Sequence, residues 1–256
     1  MALVIRAGYF CSAGHTEAGG MQAFLEKIGP SRVAWERCFP AIQKPGPKLG
    51  RPVPRREIEG TSGPSLVSAM LSRLRMRRQN LGAAPFDLDV IVFIDDADCR
   101  FEDDAEKHRD WVAQRTAEIR SAAQQSSLPF LALFASPEIE AWFLADWDAG
   151  LGREHARLST GDKPLRAHVE ELLGGPLTLV ESYGGGLRDG ACANKLSDRL
   201  RSLLERLGAS YSKSVDGPAM LRRVRPDKIA EVCGHFFRPA FQQMCREIQR
   251  LDVPST

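Results

Sequence analysis

The stretch Asp87–Asp98, DLDVIVFIDDAD, decides the fold. Val90, Ile91, Val92, Phe93 and Ile94 are apolar without interruption, the pattern of a strand buried on both faces and hence of a parallel sheet covered by helices. The run empties into Asp95, Asp96 and Asp98. Ligands bind at this carboxyl edge of open α/β sheets. Carboxylates two positions apart leave an extended strand end on the same side, so Asp96 and Asp98 can serve one hard cation such as Mg²⁺. Aspartate is also frequent in βα loops and at helix N-caps, and that is the competing explanation.

Working outward, Leu3–Ile5 with Tyr9 and Phe10 predicts a first strand. A turn at Gly14 then leads through Thr16 and Glu17 into a helix carrying Met21, Phe24, Leu25 and Ile28. Further strands are expected at Arg32–Phe39 and Phe130–Phe134, with helices at Ser65–Gln79 and Ala105–Ala123 and one opening at Ser136-Pro137. Alternating strands and helices imply an α/β fold with a mainly parallel sheet flanked by helices, occupying 1–150. Residues 151–256 read as mainly helical and packed on that core, with helices at Pro164–Leu173, Lys195–Leu207, Asp227–Cys233 and Pro239–Leu251. Tyr183–Gly190, with four glycines, is expected to be a mobile loop.

Composition narrows the function. At 256 residues, 43% hydrophobic and 27% charged, the chain has ordinary globular proportions. It has no apolar run of membrane-spanning length and no signal-peptide pattern, so a cytoplasmic protein with no membrane partner is expected. Six scattered cysteines show neither zinc-site spacing nor disulfide density, and reduced thiols follow. The net charge of +2 identifies no polyanion partner, but its distribution does suggest one. Lys44–Arg56 holds five basic residues and no acidic one. Lys48, Arg51, Arg55 and Arg56 there, with Arg73, Arg75, Arg77 and Arg78 at the end of the following helix, form a candidate surface for DNA or RNA. Arginines at a helix C-terminus also favour its dipole.

A second acidic constellation follows the strand at Phe130–Phe134. In Ser136-Pro137-Glu138-Ile139-Glu140-Ala141-Trp142, Glu138 can favour a helix N-terminus. Glu140 lies toward the buried side and needs a cation or hydrogen-bonding partner to stay charged. With Asp96 and Asp98 it predicts an acidic pocket that binds divalent metal and, through it, phosphate. Lys213 is a candidate phosphate contact, with an exposed loop lysine as the alternative. His15 lacks a matching base, and His235 beside Phe236 and Phe237 is expected to pack or cap. The chain shows neither a nucleophile elbow nor a phosphate-loop lysine motif.

The glycine-containing first loop, the strand ending in Asp-x-Asp, the Pro137–Trp142 segment and the Tyr-x-Lys-x-x-Asp-Gly stretch at Tyr211–Gly217 together resemble the toprim-like proteins. Within them the chain is most similar to an uncharacterised bacterial family related to RloB and the overcoming-lysogenisation-defect (OLD) nucleases. The resemblance implies a toprim-like core and cleavage of a phosphodiester with Mg²⁺ or Mn²⁺. It also implies an ATPase partner and a place in phage defence or DNA processing; self-association stays open. It assigns Asp96 and Asp98, with Asp95 as a one-place alternative, and Glu140 to the metal. The family's first-loop pattern, Glu-Gly-x-Thr-Glu, reads Ala13-Gly14-His15-Thr16-Glu17 here. Ala13 therefore stands where the first metal-binding glutamate is expected, and Glu17 can replace it only if the loop folds back. The expectation is a metal-dependent nuclease subunit with Glu17, Asp96, Asp98, Glu140 and Lys213 as catalytic residues. Alternatives are a catalytically inactive toprim-like binding or scaffold subunit and a small-molecule phosphotransfer enzyme.

Overall fold

The structure, a computed structural model, describes residues 4–29, 32–40, 61–98, 100–101, 104–156, 158–160, 163–184, 187–188, 191–192 and 194–252. Strands β1 (Ile5–Cys11), β2 (Val33–Phe39), β3 (Val90–Asp96) and β4 (Phe130–Ala135) form one sheet in the order β2-β1-β3-β4. Every pairing is parallel. The expected strands thus share a sheet, and the all-apolar Val90–Ile94 run lies in its interior.

Strand parity sorts the side chains between two cores. Tyr9, Cys11, Val92, Ile94, Leu131 and Leu133 face α1 (His15–Leu25) and the helices of the second half. Phe10, Ile91, Phe93, Phe130 and Phe134 face α2 (Gly63–Leu81) and α3 (Ala105–Ala123). Two buried layers explain why β3 and β4 show no polar alternation. Asp104 starts α3 by accepting the backbone N–H groups of Glu106 and Lys107 at 2.8 and 3.1 Å.

Beyond β4 come α4 (Glu140–Ala145), α5 (Leu151–Glu154), the two-residue strands β5 (Ser159–Thr160) and β6 (Lys163–Pro164), and α6 (Leu165–Leu173). A 3-10 turn, Leu177–Ser182, precedes the short antiparallel pair β7 (Leu187–Arg188) and β8 (Ala191–Cys192). The expected loop at Tyr183–Gly190 therefore contains a short strand, and residues 185, 186, 189 and 190 lie outside the described residues. Helices α7 (Leu196–Arg206), α8 (Asp216–Arg223), α9 (Pro226–Val232) and α10 (Phe237–Asp252) complete the chain. Their apolar faces join the α1 side of the sheet in one continuous core. Trp142 of α4 links them, with ring centroids 5.0 Å from both Phe24 and Phe237. Among the described residues no helix is long and apolar enough to cross a membrane.

Candidate metal centre

Asp96 ends β3 on the face toward α1, as parity with Val92 and Ile94 requires. Past the strand, the chain stays beside the continuation of β4. Ala97 N–H donates to Ala135 O at 2.7 Å and Asp98 N–H to Pro137 O at 2.9 Å. Asp98 turns through a left-handed conformation, φ 46°, which aspartate tolerates better than most residues. These bonds bring Asp98 to the segment that carries Glu138.

Carboxylate oxygens of Asp96, Asp98 and Glu138 lie within 4.8 Å of one another. Oxygens on one Ca²⁺, at about 2.3–2.6 Å, can lie up to about 5 Å apart, so the set as it stands can hold such an ion. Mg²⁺, whose oxygens at about 2.1 Å lie at most about 4.2 Å apart, requires the side chains to draw together. All the donors are hard oxygens, which suits such a cation. Glu140 is 1% exposed, and its Oε2 is buried without a hydrogen-bond partner. An orphaned carboxylate oxygen beside three converging ones also fits a cation-binding pocket.

Electrostatics set the same requirement. Burial, reinforced by Glu17, Glu140 and Asp98, pushes the Asp96 carboxyl well above the usual aspartate range. Burial likewise raises Asp98, against the opposing charges of Lys195, Arg100 and Lys213. Glu140 is raised by burial despite Lys213 and the Tyr211 hydroxyl, which donates to its Oε1 at 2.8 Å. Bringing these carboxylates together without a counterion favours protonation, and a divalent cation would offset that cost.

Glu138 was expected to favour the opening of a helix at Ser136-Pro137. Instead α4 begins at Glu140, and Glu138 precedes it as a member of the cluster. It is anchored from the second half of the chain: Ser197 donates to it from its backbone N–H at 2.9 Å and its hydroxyl at 3.1 Å. Ser197 lies in the first turn of α7, where unpaired N–H groups favour an anion. The sequence signal was a serine just inside an apolar-periodic segment, but nothing local tied it to residue 138.

Lys213 Nζ lies 3.3 Å from Glu140 and 3.5 Å from Glu138. Burial disfavours its charge, yet Glu140, Glu138 and Asp96 outweigh that and hold it above the ordinary lysine range. It is still 38% exposed at its side chain, so it forms one wall of the pocket. Its carbonyl accepts the Thr16 hydroxyl at 2.9 Å, pinning the Tyr211–Gly217 stretch to the first turn of α1. Gly217 allows this approach, since a Cβ there would overlap the Thr16 hydroxyl.

Glu17 lies in the first turn of α1 and is not one of the three converging carboxylates. Its carboxylate accepts the Ser12 hydroxyl at 2.9 Å, just past the end of β1. Burial raises its pKa and outweighs that hydrogen bond, with Glu140 adding repulsion. Ala13 packs into the α2–α3 core, away from the carboxylates.

Other expected residues fall elsewhere. Asp95 points to the reverse face of β3, where Oδ2 accepts the Gly63 N–H at 2.8 Å and Arg100 at 2.9 Å. It is thereby held away from the metal set, as strand alternation demands of the residue before Asp96. Arg77 pairs with Asp87 at 2.6 and 2.7 Å and with Glu36 at 2.5 and 3.1 Å. Arg78 donates to the carbonyls of Gly82 and Ala84 beyond the C-terminus of α2. These two arginines act within the fold, whereas Arg73 and Arg75 are exposed. Lys48, Arg51, Arg55 and Arg56 lie outside the described residues.

Residues 14–244 match DUF4276, a domain of unknown function. No curated protein and no solved structure matches the chain.

Proposed function

We propose that the chain, which belongs to the DUF4276 family, is a metal-dependent phosphodiester-cleaving nuclease subunit. The observation that carries this reading is the convergence of Asp96, Asp98 and Glu138 at the carboxyl edge of the sheet, with Lys213 beside them. These three carboxylates would hold Mg²⁺ or Mn²⁺. When bound, such an ion activates water and stabilises charge on phosphoryl oxygens. Lys213 limits the negative charge of the pocket and offers its ammonium to a substrate phosphate. Glu17, buried and inclined to hold a proton, is the replacement acid for the glutamate absent at Ala13. Tyr211 and Lys213 position Glu140 through its Oε1. The toprim-like resemblance supports the same activity and adds an ATPase partner and phage defence or DNA processing as its setting. Ala13 favours a second reading, a toprim-like binding or scaffold subunit without catalysis.

Labelled DNA and RNA incubated with Mg²⁺ or Mn²⁺ test the proposal. Cleavage should be lost in Asp96→Asn and Glu138→Gln, along with metal-dependent thermal stabilisation. Cleavage that survives both substitutions would place the activity outside this pocket. Metal binding without cleavage, even with the partner ATPase supplied, would support the scaffold reading.

A further inference from the structure

On the reverse face of β3, α2 and α3 enclose a cleft of about 300 Å³ that the proposed chemistry does not use. Gly63, Pro64 and Ser68 line it from α2, Trp111 and Arg115 from α3, and Arg100 from the loop between β3 and α3. Among the described residues, none that lines it is acidic. Arg100 spends one nitrogen on Asp95 and the Asp96 carbonyl, at 2.9 and 3.3 Å. Arg115 pairs with Glu118 through Nη1 at 2.8 Å, but its Nε is buried with no acceptor. A guanidinium has five donors in a fixed fork, so both arginines retain hydrogen-bonding capacity suited to a tetrahedral oxyanion. Arg100, which lines the cleft, pairs with Asp95 behind it, and the residue after Asp95 is the metal-set residue Asp96.

The geometry points to a phosphate subsite in this cleft that grips the backbone of a nucleic-acid strand while another phosphate of the same strand lies at the acidic pocket. The inference rests on the nuclease reading and specifies its substrate class as a polymer with repeated phosphates. A small phosphodiester has no second phosphate to place there. Arg115 lines the cleft with its side chain 17% exposed, and an arriving phosphoryl oxygen would meet the solvent-facing part of its guanidinium.

Fluorescence anisotropy with a labelled single-stranded oligothymidylate, Ca²⁺ replacing Mg²⁺, tests the subsite in the full chain. Arg115→Gln should weaken binding by about tenfold, as expected for a charge-assisted contact. It should also lower the slope of log affinity against log salt by about 0.7, the equivalent of one single-strand phosphate contact. Ser68→Glu, at an exposed position on the rim, should weaken binding similarly, with an unchanged circular-dichroism melt showing that the fold is intact. Unchanged affinity and salt slope in both variants would overturn the subsite, as would absence of salt-sensitive binding by the unsubstituted chain. If both variants lose binding but the unsubstituted chain cleaves nothing with metal, the subsite stands and the nuclease reading falls. If metal-dependent cleavage is present and both variants bind as the unsubstituted chain does, the nuclease reading stands and the subsite falls.

Discussion

Gly14→Ala should destabilise the protein through one neighbour, Glu17. A Cβ at Gly14 would overlap Glu17 Oε2 and lie 3.1 Å from its Cδ and 3.3 Å from Oε1, all inside ordinary contact. The backbone itself does not object, since Gly14 has φ −73° and ψ 158°, which alanine adopts freely. The carboxylate must therefore withdraw by on the order of an ångström, which breaks its 2.9 Å bond from the Ser12 hydroxyl. Leaving a buried polar group without its hydrogen bond costs about 1–3 kcal/mol. Restricting the unfolded chain by replacing glycine returns about 0.4–1 kcal/mol. The net expectation is a loss of about 1–2 kcal/mol, or roughly 2–8 °C in Tm for a chain of this size. Urea denaturation of Gly14→Ala, Glu17→Ala and the double variant separates the causes. In the Glu17→Ala background the glycine substitution should become neutral or slightly stabilising. An equal loss in both backgrounds would refute the account of how Glu17 is seated.

Asp96→Asn should flatten the pH dependence of metal-free stability. A carboxyl raised in the folded state contributes stability fully present below its unfolded value, and that contribution fades as pH rises through the folded value. For Asp96 the loss begins around the ordinary aspartate value of 3.8 and extends upward, so the unsubstituted chain should lose more stability than Asp96→Asn on going to alkaline pH in EDTA. Parallel declines in urea titrations at several pH values would contradict this. Arg77→Ala should cost about 1–2 kcal/mol, because two half-exposed carboxylates lose a shared partner, and should leave the salt slope of nucleic-acid binding unaltered. Equal stability with a reduced salt slope would instead return Arg77 to the binding surface.

Much of the sheet was legible because β3 and β4 are buried on both faces and carry nothing but apolar residues up to their ends. The α3 helix at Ala105–Ala123 was also legible, and the structure adds its aspartate cap, Asp104. Asp96 and Asp98 meet for a reason the strand argument does not contain, because Asp98 lies past the strand end and its left-handed turn and bond to Pro137 O bring it back. Whether Asp95 or Asp96 faced the site depended on which face of β3 met α1, and the uniformly apolar run says nothing of facing. Glu138 was read as a helix-opening residue because its partners, Ser197 and Lys213, lie 59 and 75 positions away. The seating of Glu17 likewise depended on contacts outside the local pattern, including the Thr16 bond to the carbonyl of Lys213. Arginines at the end of α2 looked like a polyanion surface because sequence does not reveal that Glu36 and Asp87 converge on Arg77.

The bond between Thr16 and the Lys213 carbonyl spans 197 positions, and its consequence is temporal. During synthesis the N-terminal segments emerge first, so β1, β3 and β4 can leave the ribosome while Ser197, Tyr211 and Lys213 are still to be made. Over that interval Glu138 and Glu140 have neither their anchoring hydrogen bonds nor the ammonium that tempers their charge. The pocket is completed only after Lys213 has been translated, so a product truncated before that residue lacks the finished centre. The order in which the residues arrive thus delays assembly of the proposed metal centre until its late-made partners are in place.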